Sequence, residues 1–217
     1  MRMRAWSVTT WLIVLNVGIF VLDSILMRAG GDPPLAQWGY FSRAMAIDDL
    51  ELWRFVTCQF VHIDVWHLVV NMLSLYFFGP MVEAYLRGGR YVAFYLLCGA
   101  AGAGLYLLLS TTNILVNNPF VPLVGASGAI FGILMAGAHI APHTTVMLLF
   151  PPMPVQLRVL AYALVGIGAL VVIRHGPNAG GQAAHLGGAI LGFILIRNTR
   201  WLRWPWSRRG PYMRYRP

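Results

Sequence analysis

Across 217 residues the chain is 58% hydrophobic and 11% charged, with a mean hydropathy of +0.65. One water-soluble core of this size cannot hide that much apolar surface, so a soluble enzyme or soluble binding module is excluded and a multi-pass membrane protein is expected. The formal charge of +9 comes from sixteen basic residues, all arginine, against seven acidic ones; a polyanion partner would explain such an excess, but the placement of the arginines between apolar runs argues against nucleic acid.

Windows of about 17 to 20 largely apolar residues, the length a hydrocarbon core requires, fall at 8–27, 66–86, 91–110, 155–173 and 182–197, with a sixth and shorter one at 126–141. The first follows Arg2 and Arg4, which would also suit a signal peptide. It is long for that purpose and no clear cleavage site follows, so it reads as span 1. Between Arg28 and about Phe60, "QWGYFSRAMAIDDLELWRFV" predicts short helices lying in the outer interface. Span 2 opens with "VHIDVWHLVVNMLS", in which His67, Asn71 and Ser74 stand at i, i+4 and i+7 and form one polar stripe on an apolar helix. Cys58 and Cys98 lie on different segments and read as small apolar fillers, not a disulfide.

Span 4 is announced by "VGASGAIFG", residues 124–132. Ser127 is its one hydroxyl, set among small residues in a region where an unpaired polar group is costly. A helix from Ser127 to Ala141 rises only about 20 Å, against a core of roughly 30 Å. If it reaches the inner side, "NNPFVPLV" must descend into the protein as non-helical chain, and the free amides of the helix N-terminus then face Ser127. Span 6 opens with "GQAAHLGGAILG", which places His185 ahead of Gly188 and Gly192 as Ser127 is placed ahead of Gly128 and Gly132. Running in parallel, these two small-xxx-small ridges would bring the hydroxyl and the imidazole together. The tail, 201–217, mixes tryptophan, tyrosine and arginine and suits a juxtamembrane segment on anionic lipid.

With the N-terminus inside, the inner segments hold twelve arginines: Arg2, Arg4, Arg87, Arg90, Arg158 and the seven from Arg197 to Arg216. The outer segments hold four: Arg28, Arg43, Arg54 and Arg174. This is the positive-inside bias, and it sets both termini in the cytoplasm. Spans 2, 4 and 6 then enter from the outer face, so His67, Asn71, Ser127 and His185 share one depth. Peptide hydrolysis requires a nucleophile, a base within reach and donors for the oxyanion. Ser127, neutral His185 and the His67/Asn71 stripe with the Ser127 amide can supply them. No carboxylate stands at that depth to orient His185, so packing and a neighbouring ring or carbonyl must. His62, His67 and His185 lack the HExxH pattern and any acidic or thiolate companion within the spans, so no metal or other cofactor is expected.

Four motifs in this order, "WR" at Trp53 and Arg54, "HIDVWHLVVN", "GASG" and "AHLGG", make the chain similar to the rhomboid family of intramembrane serine proteases over nearly its whole length. The resemblance implies an all-α bundle of six transmembrane helices as one domain over 1–200, a cavity open to the outside and a Ser127–His185 dyad. It also implies an oxyanion site from the Ser127 N–H with His67 and Asn71, and supporting places for His62, Gly125, Gly128, Phe131, Gly188, Trp53 and Arg54. Glu83 and Arg87 match the family's charged turn, and Phe131 stands where an aromatic ring meets the histidine. Cys58 departs from members that carry another histidine there. The substrates expected are transmembrane proteins, the surroundings lipid, and the location a bacterial-type inner membrane. Two rivals are a rhomboid-like adaptor, which would usually lack the serine or histidine, and a channel, which would need a polar path through the apolar inner halves of spans 4 and 6.

Overall fold

The computed structural model describes residues 6–28, 33–112, 114–115, 118–148 and 151–202. Arg2, Arg4 and most of the basic aromatic tail lie outside these residues. The chain is mostly helical. Helix α1 runs Val8–Arg28, α2 Pro34–Gly39, α3 Arg54–Thr57, α4 Val65–Leu86, α5 Gly88–Thr111, α6 Ser127–Ile140, α7 Leu157–Ile173 and α8 Ala179–Arg197. A π-helical turn at Ala44–Asp48 and a 3₁₀ turn at Cys58–Phe60 complete the segment before α4, which is the string of short helices its sequence predicts. Four described helices, α1, α4, α5 and α8, are long and apolar enough to cross a membrane. Helices α6 and α7 are apolar but only 14 and 17 residues long, so two of the six expected spans are short by length alone.

The helix ends follow from local chemistry. Asp64 accepts a hydrogen bond from the His67 backbone N–H at 2.8 Å and so caps α4. That helix stops at Arg87, whose φ of +64° no helical residue adopts. Asn178 caps α8 through the Gly181 N–H at 3.2 Å. Glu83 stands one turn before this end, its backbone carbonyl accepting from the Arg87 N–H at 2.7 Å. Its carboxylate accepts from the Val8 N–H at 2.7 Å, the Thr9 N–H at 2.9 Å and the Thr9 hydroxyl at 2.6 Å, satisfying the otherwise unpaired amides at the start of α1. Span 5 begins two residues later than its hydropathy implies, because 154–156 is drawn into an antiparallel hairpin with Thr145–Met147.

Helices α5, α6 and α8 form the most tightly joined part of the bundle, with α4 on α6, α1 on α4, and α7 on α8 and α6. Glycines make that closeness possible. A Cβ at Gly188 would lie 2.6 Å from the Gly128 carbonyl carbon, one at Gly192 2.5 Å from Gly132 Cα, and one at Gly102 2.7 Å from the Ala184 carbonyl oxygen. The α6 and α8 ridges therefore touch backbone to backbone, with their N-terminal ends side by side. Large apolar side chains such as Trp11, Leu22, Phe77, Ile167 and Ile190 point outward, as expected where lipid replaces water.

Candidate active site

The approach to α6 is non-helical, and its backbone is nonetheless paired. Phe41 and Leu123 exchange both backbone hydrogen bonds, at 2.9 and 2.7 Å, and the Gly125 N–H donates to the Cys58 carbonyl at 2.9 Å. Such pairing is what buried irregular chain needs. Gly125 takes φ +114°, and a Cβ there would fall 2.7 Å from both Cε1 and Nε2 of His67. Glycine is thus required twice at this position, for its dihedral and for the imidazole beside it. One turn residue later Ser127 opens α6, where the first backbone N–H groups have no intrahelical partner and carry the positive end of the helix dipole.

Ser127 Oγ lies 2.8 Å from His185 Nε2, a hydrogen-bonding distance for a hydroxyl and an imidazole. The Phe131 ring, one turn further along α6, stacks on the imidazole with centroids 4.2 Å apart and planes 9° from parallel. The other ring nitrogen, Nδ1, is 3.2 Å from Oε1 of Gln182. In a neutral imidazole one nitrogen is a donor and the other an acceptor. If Nε2 is to accept from the serine hydroxyl, Nδ1 carries the proton and donates it to Gln182. The ring packed on His185 is that of Phe131. The group on Nδ1 is an amide carbonyl on a side chain three residues upstream, which sequence reading passed over.

Ser127, His185, His67, Asn71, Ser74 and Phe131 line one cavity of about 670 Å³. Asn71 is buried, and one of its two amide hydrogens bonds the His67 carbonyl at 2.9 Å; the other remains to donate. The polar stripe of α4, with His67, Asn71 and Ser74, faces the cavity. His62 is set apart from the dyad. It lines a second cavity of about 500 Å³ against α1 and α2, with its ring 5.1 Å from that of His67. Burial, with the His67 ring beside it, holds His62 down to about 4, so it is neutral at physiological pH. Burial likewise pushes the Cys58 thiol up to about 12, which leaves it inert as a nucleophile.

Trp53 and Arg54 line neither cavity; they hold the segment before α4 together. Trp53 stacks on Trp38 at 5.8 Å. Arg54 is buried, pairs with Glu51, and donates from Nη1 to the Gln37 and Tyr40 carbonyls at 2.9 and 2.6 Å. Gly128 and Gly188 act at one remove, by letting α6 and α8 meet. Among the described residues no three of His, Cys, Asp and Glu gather as a metal cluster would. What the cavity does assemble is a hydroxyl against an imidazole, helix N-terminal amides and a carboxamide donor, the groups that acyl transfer uses.

Comparison with known proteins places this geometry in context. The profile of the Rhomboid domain matches residues 49–201. RHOMBOID-like protein 12, mitochondrial, from Arabidopsis thaliana is 29% identical over 209 residues, covering 89% of this chain and 59% of that protein. Rhomboid protein 1, mitochondrial, from Saccharomyces cerevisiae is 32% identical over 138 residues, 62% of this chain and 38% of its own length. Rhomboid protease GluP from Bacillus subtilis is 32% identical over 144 residues, 66% of this chain and 25% of its own length. The chain spans less than two thirds of each of these relatives.

Proposed function

The chain belongs to the rhomboid family, and we propose that it is an intramembrane serine endopeptidase that hydrolyses peptide bonds in or beside the transmembrane segments of other proteins. One observation carries the reading: the 2.8 Å contact of Ser127 Oγ with His185 Nε2 at the start of α6, inside a cavity. Ser127 Oγ attacks the scissile carbonyl carbon as its proton passes to His185 Nε2. The carbonyl oxygen becomes an oxyanion that the Ser127 N–H and the Asn71 amide stabilise, with His67 at its side. His185 then returns the proton to the leaving amine, the C–N bond breaks, and water repeats the sequence on the ester, restoring Ser127.

In this account residues 1–200 are one membrane domain of six spans, with α6 and α7 as the two short ones, and 201–217 are a basic tail. Both termini are cytoplasmic by the arginine distribution, and the cavity opens outward. A regular helix hides its carbonyls in i to i−4 bonds, so a substrate must unwind first. Cleavage therefore falls near the outer end of a substrate span, next to a small residue and just before a helix-weakening stretch. The relatives named above include mitochondrial and bacterial proteins and do not single out the bacterial-type inner membrane expected from the sequence. The test is labelling by a fluorophosphonate probe in detergent. Labelling that is lost in Ser127→Ala and in His185→Ala is the expected result, and an unlabelled wild type would favour the non-proteolytic adaptor.

A further inference from the structure

Gly168 is buried in the middle of α7, and a Cβ there would come within 2.9 Å of Gln182 Oε1 and 3.8 Å of Leu186 Cδ2. The same Gln182 oxygen lies 3.2 Å from His185 Nδ1. The carboxamide is thus confined between the backbone of α7 and the imidazole. Glycine inside a helix is unfavourable relative to alanine, so its presence on this face needs a reason, and space for Gln182 supplies one. Gly166, two residues earlier, has nothing within 4 Å of where its Cβ would be, and so serves as a control within the same helix.

We infer that Gln182 is a positioning residue for His185 and that Gly168 keeps the space it needs, so that the seating of α7 on α8 sets whether the dyad is ready. By accepting from Nδ1–H, Gln182 holds the tautomer in which Nε2 is free to take the serine proton. A methyl group at position 168 displaces the flexible end of a side chain, not backbone, so the fold tolerates it while Gln182 loses its hold. The consequence for rate rests on the peptidase reading; the consequence for the imidazole does not.

Two measurements test this on the full chain in detergent. The first is the side-chain ¹⁵N spectrum of the six histidines, with His185 assigned by its loss in His185→Ala. Wild type should show His185 protonated at Nδ1. Gln182→Met and Gly168→Ala should lose that preference, whereas Gln182→Glu, which retains an acceptor, and Gly166→Ala should keep it. The second is steady-state cleavage of a model transmembrane substrate. Gln182→Met and Gly168→Ala should each lower kcat by about 10- to 100-fold, by analogy with the loss of the hydrogen-bond partner of a metal-bound histidine, with KM unchanged and the thermal midpoint unchanged or raised. Gly168→Ala added to Gln182→Met should lower kcat no further. A wild-type His185 signal in Gln182→Met overturns the inference, as does full additivity of the two substitutions. A wild type without turnover would instead sink the peptidase reading, while the ¹⁵N spectra still decide the role of Gln182.

Discussion

Ser127 is one hydroxyl on an apolar helix, and what distinguishes it is the set of groups brought to it: an imidazole at 2.8 Å, a ring stacked behind that imidazole, and free amides at its own helix start. On the proposed role of Asn71 as an oxyanion donor, Asn71→Ala should reduce kcat and leave KM intact. Loss of one such donor typically costs about 10²- to 10³-fold, and the Ser127 amide and His67 remain, so the loss should sit at or below the lower end of that range. A raised KM with unchanged kcat would put Asn71 in substrate binding instead. His62 makes a prediction about pH. Its pKa falls from 6.5 to about 4 on folding, so the unfolded chain takes up this proton first as pH drops. Stability is therefore lost progressively from about pH 6.5 down to about pH 4, and this contribution does not grow further below that. His62→Asn should flatten that part of the thermal midpoint against pH; a curve as steep as wild type would show that other groups cause the slope.

At the scale of elements, the contact of α6 with α8 fixes where the dyad meets, and it depends on glycines facing backbone. A Cβ at Gly188 meets the Gly128 carbonyl group, which has no flexible end to move, whereas Gly104 has open space around it. Gly188→Ala should therefore lower the thermal midpoint and activity together, by the roughly 1–3 kcal/mol typical of overpacking, and Gly104→Ala should leave both unchanged or gain stability. Equal melting of the two variants would contradict the backbone contact. The sequence already made this pairing legible, because a small-xxx-small ridge follows each of the two residues, beginning one position after Ser127 and three after His185. The role of Glu83 was not legible. Its partners are the α1 amides 74 and 75 residues away, and no local pattern announces them. Gln182 was passed over for a related reason: a single amide in a glycine- and alanine-rich stretch has no periodicity to mark it. The hairpin at 145–156 escaped because three-residue strands beside prolines carry too little alternation to read.

For the whole molecule, hydropathy shows that it is a membrane protein with several spans, and the family match agrees. Orientation rests on the arginine count, and both native cysteines are buried, so engineered thiols will label over a low background. Ser7→Cys should react with a membrane-impermeant maleimide only from the cytoplasmic side and Asn118→Cys only from the opposite side; the reverse would invert the topology. The central claim is that Ser127 cuts an unwound segment at an outward-facing site. Its most direct test is reconstitution of the chain in liposomes with a single-pass substrate carrying a small residue before a glycine- and proline-containing stretch, followed by mass spectrometry of the products. The account predicts one cut beside the small residue in the outer part of the span, absent in Ser127→Ala and much reduced when the weak stretch is replaced by leucine. Persistence of that cut in Ser127→Ala, or a cut in the cytoplasmic half of the span, would contradict it.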